Sequence, residues 1–236
     1  MIKKAMILAA GFGKRINPLT LKCPKPLLKI GKETLLSNTL KFIIKFGIDE
    51  VTINTHHLSD QIVDYIKNNN FEINIKIENE KDEILDTGGG ILNSIHNFSN
   101  NPFLVINPDT IWNLNYLKEL KLAEKIFFEN EKNKCLLLLV NKNKSFDSSF
   151  LGDFNIEKQL IDRKNPNNLK FIYTGVQIIK PEVFDNCDER IFSINKIWDK
   201  LIKNQELIGM ESNISFLHVS NLDIYKILAE KYLHVK

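Results

Sequence analysis

Ala5-Met6-Ile7-Leu8-Ala9-Ala10-Gly11-Phe12-Gly13-Lys14-Arg15 is followed by Asn17-Pro18-Leu19-Thr20 and Cys23-Pro24-Lys25-Pro26-Leu27-Leu28. The fold is decided here. An apolar run of strand length ends at Leu8 and enters a turn made of Ala9, Ala10, Gly11 and Gly13. Small residues let a ligand approach the backbone, and N–H groups in a glycine turn converge on anionic oxygens. Lys14 and Arg15 add mobile positive charge, and Lys25, set between two prolines, adds a stiffened one. The combination predicts a cradle for a polyphosphate. Taken alone, Pro24-Lys25-Pro26 is equally a rigid surface turn; the glycines upstream favour the cradle.

Outward from this stretch the pattern alternates. A strand at 4–9 precedes a helix over 34–46, whose stripe is Leu36, Leu40, Ile43 and Ile44 and whose stop is Gly47. Further strands are read at 50–55, 72–78, 103–107 and 135–141, with helices at 60–69, 91–98 and 114–130. This rhythm predicts an α/β fold, an open and mostly parallel central sheet flanked by helices, with ligands along one edge of strand ends. The second half reads as a hairpin near 152–162, strands at 170–180 and 214–219, and helices at 193–203 and 223–233. We expect a single domain, 1–236, with a nucleotide-binding half (1–141) and a small appended lobe (142–236).

Composition bounds the partners. A net charge of +3 over 236 residues, with lysines interleaved among Glu and Asn, gives no reason to expect nucleic acid. No apolar run approaches membrane length, and Met1-Ile2-Lys3-Lys4 enters a strand too early for a signal peptide. Cys23, Cys135 and Cys187 show neither metal spacing nor a disulfide framework, so a cytoplasmic location is expected. The turn is no Walker loop, because Gly13-Lys14 is followed by Arg15, and no dinucleotide fingerprint, because Ile16 stands where a small residue is needed.

Leu8-Ala9-Ala10-Gly11-x-Gly13-x-Arg15, Pro18-Leu19-Thr20 and Pro24-Lys25-Pro26-Leu27 together resemble the signature of the sugar-1-phosphate nucleotidyltransferases. Asp86-Thr87-Gly88-Gly89-Gly90-Ile91 resembles that family's base-binding loop, and Asn107-Pro108-Asp109 its metal-binding Asn-Gly-Asp. Gly152-Asp153-Phe154 and Tyr173-Thr174-Gly175 resemble segments around the sugar pocket. Within the family, the branches acting on N-acetylmuramate 1-phosphate and mannose 1-phosphate are the most similar.

The resemblance implies a Rossmann-like, GT-A-like fold and transfer of a nucleoside monophosphate from a triphosphate to a sugar 1-phosphate, releasing pyrophosphate. It implies Arg15 and Lys25 as catalytic cations, and Leu8 through Gly11, Gly13, Lys14, Thr87, Gly88, Gly89 and Asn107 against the nucleotide. Lys164, Tyr173, Thr174 and Gly175 are expected at the acceptor. Asp109 and His218 are expected at the metal, with Mg²⁺ as cofactor, or Mn²⁺ or Co²⁺ given the imidazole. UTP is the first choice of nucleotide, GTP the second and CTP the third, in a monomer or homodimer.

Two departures from the family pattern stand out. In Phe216-Leu217-His218-Val219-Ser220-Asn221, His218 occupies the place of an expected carboxylate. Pro108 replaces a glycine and removes an N–H beside Asp109. They leave open a cytidylyltransferase acting on a non-sugar phosphate such as phosphocholine, and a non-catalytic nucleotide-binding protein. Asp109 could also cap a helix from 112 onward. His56-His57 is read as loop packing near the base, Trp112 and Trp198 as core or edge packing, and Phe127-Phe128 and Leu136–Leu139 as core. His96 and His234 are isolated in sequence.

Overall fold

The computed structural model describes residues 1–233; His234 lies outside them. In chain order the elements begin with β1 (Lys4–Leu8), β2 (Lys29–Ile30), β3 (Glu33–Thr34), α1 (Leu35–Phe46), β4 (Glu50–Thr55) and α2 (Ser59–Lys67). Next come β5 (Asn74–Asn79), α3 (Asp86–Ser94), β6 (Phe103–Ile106), α4 (Tyr116–Phe128) and β7 (Cys135–Asn141). The remainder holds β8 (Asn155–Glu157), β9 (Leu160–Asp162), β10 (Phe171–Ile179), α5 (Asn195–Lys203), β11 (Leu207–Ser212) and α6 (Leu222–Leu233).

Nine strands form one sheet in the order β5-β4-β1-β6-β10-β7-β11-β9-β8. All run the same way except β10 and β9, which are antiparallel to their neighbours. Strands buried on both faces need cover on both. Leu36, Leu40 and Ile43 of α1 and Tyr116, Leu120 and Phe127 of α4 pack on one face. Ile91 of α3 and Ile197, Trp198 and Leu201 of α5 pack on the other. The α1 helix starts where Thr34 Oγ1 accepts from the Ser37 amide at 3.0 Å and stops at Gly47, whose φ is +109°. At the far side Leu228 of α6 joins Ile16, Leu28 and Ile30, so the last helix packs against the chain's first loop and the β2–β3 hairpin.

Several expectations are corrected. The described part of the expected lobe, residues 142–233, does not sit apart over the sheet. These residues supply β8 through β11 to it, and β10 enters between β6 and β7. The helix expected at 91–98 begins at Asp86 and takes in all three glycines. The strand expected at 214–219 is absent; that segment makes only isolated bridges at Phe216 and His218, and the strand is β11. Phe128, expected in the core, is 49 % exposed, whereas Phe127 is buried. Asp109 caps no helix, since α4 starts at Tyr116.

Candidate active site

The carboxyl ends of β1 and β6 open side by side into a cleft of about 400 Å³. Leu8, Ala9, Ala10, Gly11, Gly13, Lys14 and Arg15 form one wall, with Lys25 above them; Thr87, Asn107 and Asp109 face them. The Ala9 amide donates to Asn54 Oδ1 at 2.9 Å, which ties the turn to β4. Gly13 has a φ of +62°, and a Cβ there would stand 2.9 Å from Thr20 Cγ2 and 3.2 Å from Lys25 Cβ. Glycine therefore lets the loop close on Thr20 and Lys25. The Thr20 hydroxyl donates to the Gly13 carbonyl at 3.0 Å, and His57 Nε2 lies 2.6 Å from the Thr20 carbonyl oxygen. Thus the histidine pair acts as loop packing: His57 braces Thr20, and His56 Nδ1 lies 2.5 Å from the Glu80 carbonyl oxygen.

Lys25 opens a short 3-10 turn after Pro24, with Pro26 next in line. Its ammonium reaches Asp109 Oδ2 at 2.5 Å, both side chains being less than one-fifth exposed. Asp109 follows β6 and is fixed by its neighbours. Its carbonyl accepts from the Val219 amide at 2.8 Å, and the Ile111 amide donates to Leu217 at 2.8 Å. These bonds lay residues 217–219 alongside 109–111 and bring His218 Nε2 to 3.1 Å from Asp109 Oδ2. The imidazole stacks on Phe216 at 5.5 Å and meets Phe150 at 5.6 Å. Burial works against ionisation of Asp109, but Lys25 and His218 overcome it and hold the carboxyl well below the usual carboxylate range.

Asp109 Oδ1 and His218 Nδ1 are buried with no hydrogen-bond partner. An orphaned carboxylate oxygen at a phosphate cradle is a donor waiting for a cation. Among the described residues no group of three or more His, Cys, Asp or Glu side chains is placed to hold a metal. The donor set thus fits an ion that takes one carboxylate and completes its shell with substrate phosphates and water, as Mg²⁺ does.

A second cleft of about 550 Å³ adjoins the first, and Leu8, Asp86, Thr87 and Asn107 line both. Tyr173, Thr174 and Gly175 line it with Asp153, Arg163 and Trp198, and His218 stands at its wall. Gly175 has a φ of +92°, and a Cβ would come within 2.9 Å of Asn107 Cβ, so glycine admits the close approach of β10 to the end of β6. Thr174 turns its hydroxyl away, donating to the Leu138 carbonyl at 2.8 Å. Asp153 Oδ2 accepts from the Tyr173 amide at 2.9 Å. Burial pushes the Asp153 carboxyl up, against the opposing pull of Arg163 and His218.

Three predicted contacts are not brought to the site. Gly88 and Gly89 line neither cleft, and their amides are spent on the Phe192 carbonyl at 2.9 and 3.0 Å. Their missing Cβ atoms make room for the strap 190–192. A Cβ at Gly88 would lie 2.4 Å from the Phe192 ring, and one at Gly89 2.2 Å from the Arg190 carbonyl oxygen. Lys164 is exposed and outside both clefts; its neighbour Arg163 points in. The residues that sequence reasoning missed are Arg163 and the aromatic walls Phe150 and Phe216. Trp198 is buried as expected, donating Nε1–H to Gln177 Oε1 at 2.9 Å, and also faces the second cleft. Trp112 is core.

Comparison with known proteins bears on this geometry. The sequence profile described as "Nucleotidyl transferase" matches residues 4–147. The chain is 26 % identical over 224 residues to an N-acetylmuramate alpha-1-phosphate uridylyltransferase of Caulobacter vibrioides, covering 93 % of this chain and 92 % of that one. A protein of the same name from Neisseria meningitidis serogroup B is 32 % identical over 186 residues, 78 % of each chain. A crystal structure of UDP-glucose pyrophosphorylase complexed with UDP-glucose superposes with a TM-score of 0.78 over the whole of both chains at 20 % identity, which establishes a shared fold.

Proposed function

The chain belongs to the nucleotidyl transferase family, and from that premise we propose that it transfers a nucleoside monophosphate from a nucleoside triphosphate to a sugar 1-phosphate, releasing pyrophosphate. The observation that carries the reading is the meeting of three groups in one cleft. A glycine turn with Arg15, the ammonium of Lys25 and the carboxylate of Asp109 line it, and a second cleft opens beyond Thr87 and Asn107. The first cleft suits a triphosphate, the second a sugar, and the reacting phosphates meet where the two join.

The acceptor's phosphate oxygen attacks the α-phosphorus in line, one P–O bond forms, and the bond to pyrophosphate breaks. Such a step asks for positioning and charge neutralisation rather than covalent help. Amides at Gly11 and Gly13 hold the triphosphate. Arg15 neutralises the departing pyrophosphate. Lys25 leaves Asp109 to bridge the α-phosphate and the incoming phosphate. Asp109, through its free Oδ1, and His218 would hold a divalent ion, Mg²⁺ first and Mn²⁺ or Co²⁺ as alternatives, which would screen the phosphates. Tyr173 through Gly175 line the sugar. The names of the two curated relatives support UTP ahead of GTP and CTP, and N-acetylmuramate 1-phosphate as the first acceptor to try. Arg163 in the second cleft weighs against phosphocholine, since a guanidinium repels a quaternary ammonium.

The test is pyrophosphate release across the four triphosphates and a panel of sugar 1-phosphates and phosphocholine, with Mg²⁺ or Mn²⁺ present. Release with a sugar 1-phosphate, reduced by about 10²-fold or more in Lys25→Ala, is the expected result. Triphosphate binding without release for any pair would leave a nucleotide-binding protein instead.

A further inference from the structure

Glu80 follows β5, is 4 % exposed and lines neither cleft. Its carboxylate accepts twice, each time from a neutral donor. Asn54 Nδ2, on β4, donates to Oε1 at 2.7 Å, and the Leu85 amide donates to Oε2 at 2.9 Å. With its Nδ2 committed, Asn54 turns Oδ1 to the Ala9 amide, which donates to it at 2.9 Å. One carboxylate therefore holds the entry to α3 directly and the turn after β1 through Asn54. Those segments form two walls of the first cleft, Ala9 through Gly11 on one side and Asp86 with Thr87 on the other.

The surroundings are shaped for this pair. A Cβ at Gly90 would stand 2.8 Å from both Asn54 Nδ2 and Glu80 Oε1, so the third glycine of α3 lets the helix lie over the two side chains. Leu85 is held on both sides, its amide by Glu80 and its carbonyl by the Phe192 amide at 3.2 Å. Asp86, the next residue, has a φ of +59°, a left-handed conformation that persists where the chain around it is fixed. A charge buried among neutral donors is a weak way to stabilise a fold. What a carboxylate has over an amide is a second acceptor, and here two donors face it.

We propose that Glu80 is a positioning residue for the triphosphate. Through Asn54 and the Leu85 amide it fixes the separation of the two walls that hold the nucleotide. The inference rests on the nucleotidyl-transfer reading above and concerns the nucleotide half alone, since neither Glu80 nor Asn54 lines the second cleft.

Counting donors and acceptors supplies the test. In Glu80→Gln an NH₂ group replaces one acceptor, so one of the three hydrogen bonds fails. In Asn54→Asp two carboxylates face each other. In the double variant Asn54→Asp/Glu80→Gln the amide at 80 donates to the carboxylate at 54, whose other oxygen accepts from Ala9, and all three bonds and the net charge return. The probes are ATP, CTP, GTP and UTP with Mg²⁺, read by calorimetric Kd and by KM and kcat for pyrophosphate release. For the triphosphate that the wild type binds most tightly, each single variant is expected to raise Kd and KM by about 10-fold or more, with the acceptor KM moving by less than about 3-fold. The double variant is expected to return to within about 3-fold of the wild type. Near-ultraviolet circular dichroism matching the wild type, with assays well below each Tm, establishes that the variants compared are folded. Where a single variant does not fold, the double variant and Gly90→Ala decide, the latter pressing on the pair from α3 with the same expected rise in triphosphate Kd. An unchanged triphosphate Kd in the folded variants, an equal loss on triphosphate and acceptor, or a double variant no better than the singles overturns the proposal and leaves Glu80 a structural link between β4 and α3. Triphosphate binding without pyrophosphate release for any acceptor would overturn the nucleotidyl-transfer reading instead, and the Kd ratios would still decide for or against Glu80; binding of none of the four would overturn both.

Discussion

At the scale of single residues, the wall made by Asp109 and His218 is the unusual part of the site. One carboxylate and one imidazole meet at 3.1 Å, and Lys25 sits on the same carboxylate oxygen. An imidazole brings no negative charge to a divalent ion and suits transition metals better than Mg²⁺. His218→Ala is expected to lose most of the activity supported by Mn²⁺ or Co²⁺ and less of that supported by Mg²⁺. His218→Asp is expected to lower the Mg²⁺ concentration for half-maximal pyrophosphate release. Titrating each variant with each metal checks both, and a His218→Ala enzyme as active as the wild type in every metal would rule out His218 as a metal ligand. Lys25 was legible in the sequence because it lies at a fixed punctuation, between two prolines, and Asp109 was placed by the resemblance of Asn107-Pro108-Asp109 to the family's metal-binding segment. Arg163 was not. It follows a three-residue strand, Leu160–Asp162, and stands with Lys164 in the irregular chain beyond it, where a sequence does not show which way a side chain points.

At the scale of elements, the glycines of α3 are there for contact between segments. The Gly89 position meets a backbone oxygen, which cannot rotate away, so Gly89→Ala forces α3 and the strap 190–192 apart. We expect a loss of about 2–3 kcal/mol in denaturant unfolding; a variant within 0.5 kcal/mol of the wild type, roughly the spread of neutral surface changes, would contradict the packing account. The three glycines suggested an open loop because glycine lowers helix propensity, and tertiary contact overrides that preference. The same override hid β11. Gly209 weakens it as a strand by propensity, yet Ile161 and Leu139 fill the space a side chain would take.

Glu50 ties three neighbouring strands together, with Lys4 of β1 at 3.0 Å and Lys76 of β5 at 3.2 Å. Burial opposes its ionisation, but the two lysines hold the carboxyl below the usual range. Its folded value is lower than its unfolded one, so its contribution is present above the unfolded value of about 4.3 and is lost as the pH falls through the folded value. Glu50→Gln should therefore cost about 1 kcal/mol at neutral pH, and that cost should fade from about pH 4 toward pH 2. Chemical denaturation across that range measures it; a cost independent of pH would show that charge plays no part.

At the scale of the whole molecule, the parallel run β5-β4-β1-β6 and the helices on both its faces were legible, because a period of two and a period of 3.6 alternate through the first half. The place of β10 was not, since nothing local in Phe171–Ile179 says which strands it will join. The site draws on segments from residue 8 to residue 220, so a ligand there should stabilise the fold as a unit. A matching triphosphate with its metal at 100 times its Kd contributes about 2.7 kcal/mol, or roughly 5–10 °C in Tm for a chain of this size. Scanning the four triphosphates should single out UTP by the largest shift; equal shifts for all four would show that the base is not read.

The insertion of β10 has a consequence for how the protein is made. Until residues 171–179 leave the ribosome, the facing edges of β6 and β7 have no partner, and their Leu-, Val- and Ile-rich backbones are open to other chains. Before then β5, β4, β1 and β6 can pair with one another, while β7 waits for both of its neighbours, β10 and β11. Long-range pairing of this kind is slow and exposes sticky edges. Synthesis should therefore lean on chaperones that shield such edges, and a chain released before β10 should be found in aggregates rather than as a smaller folded enzyme.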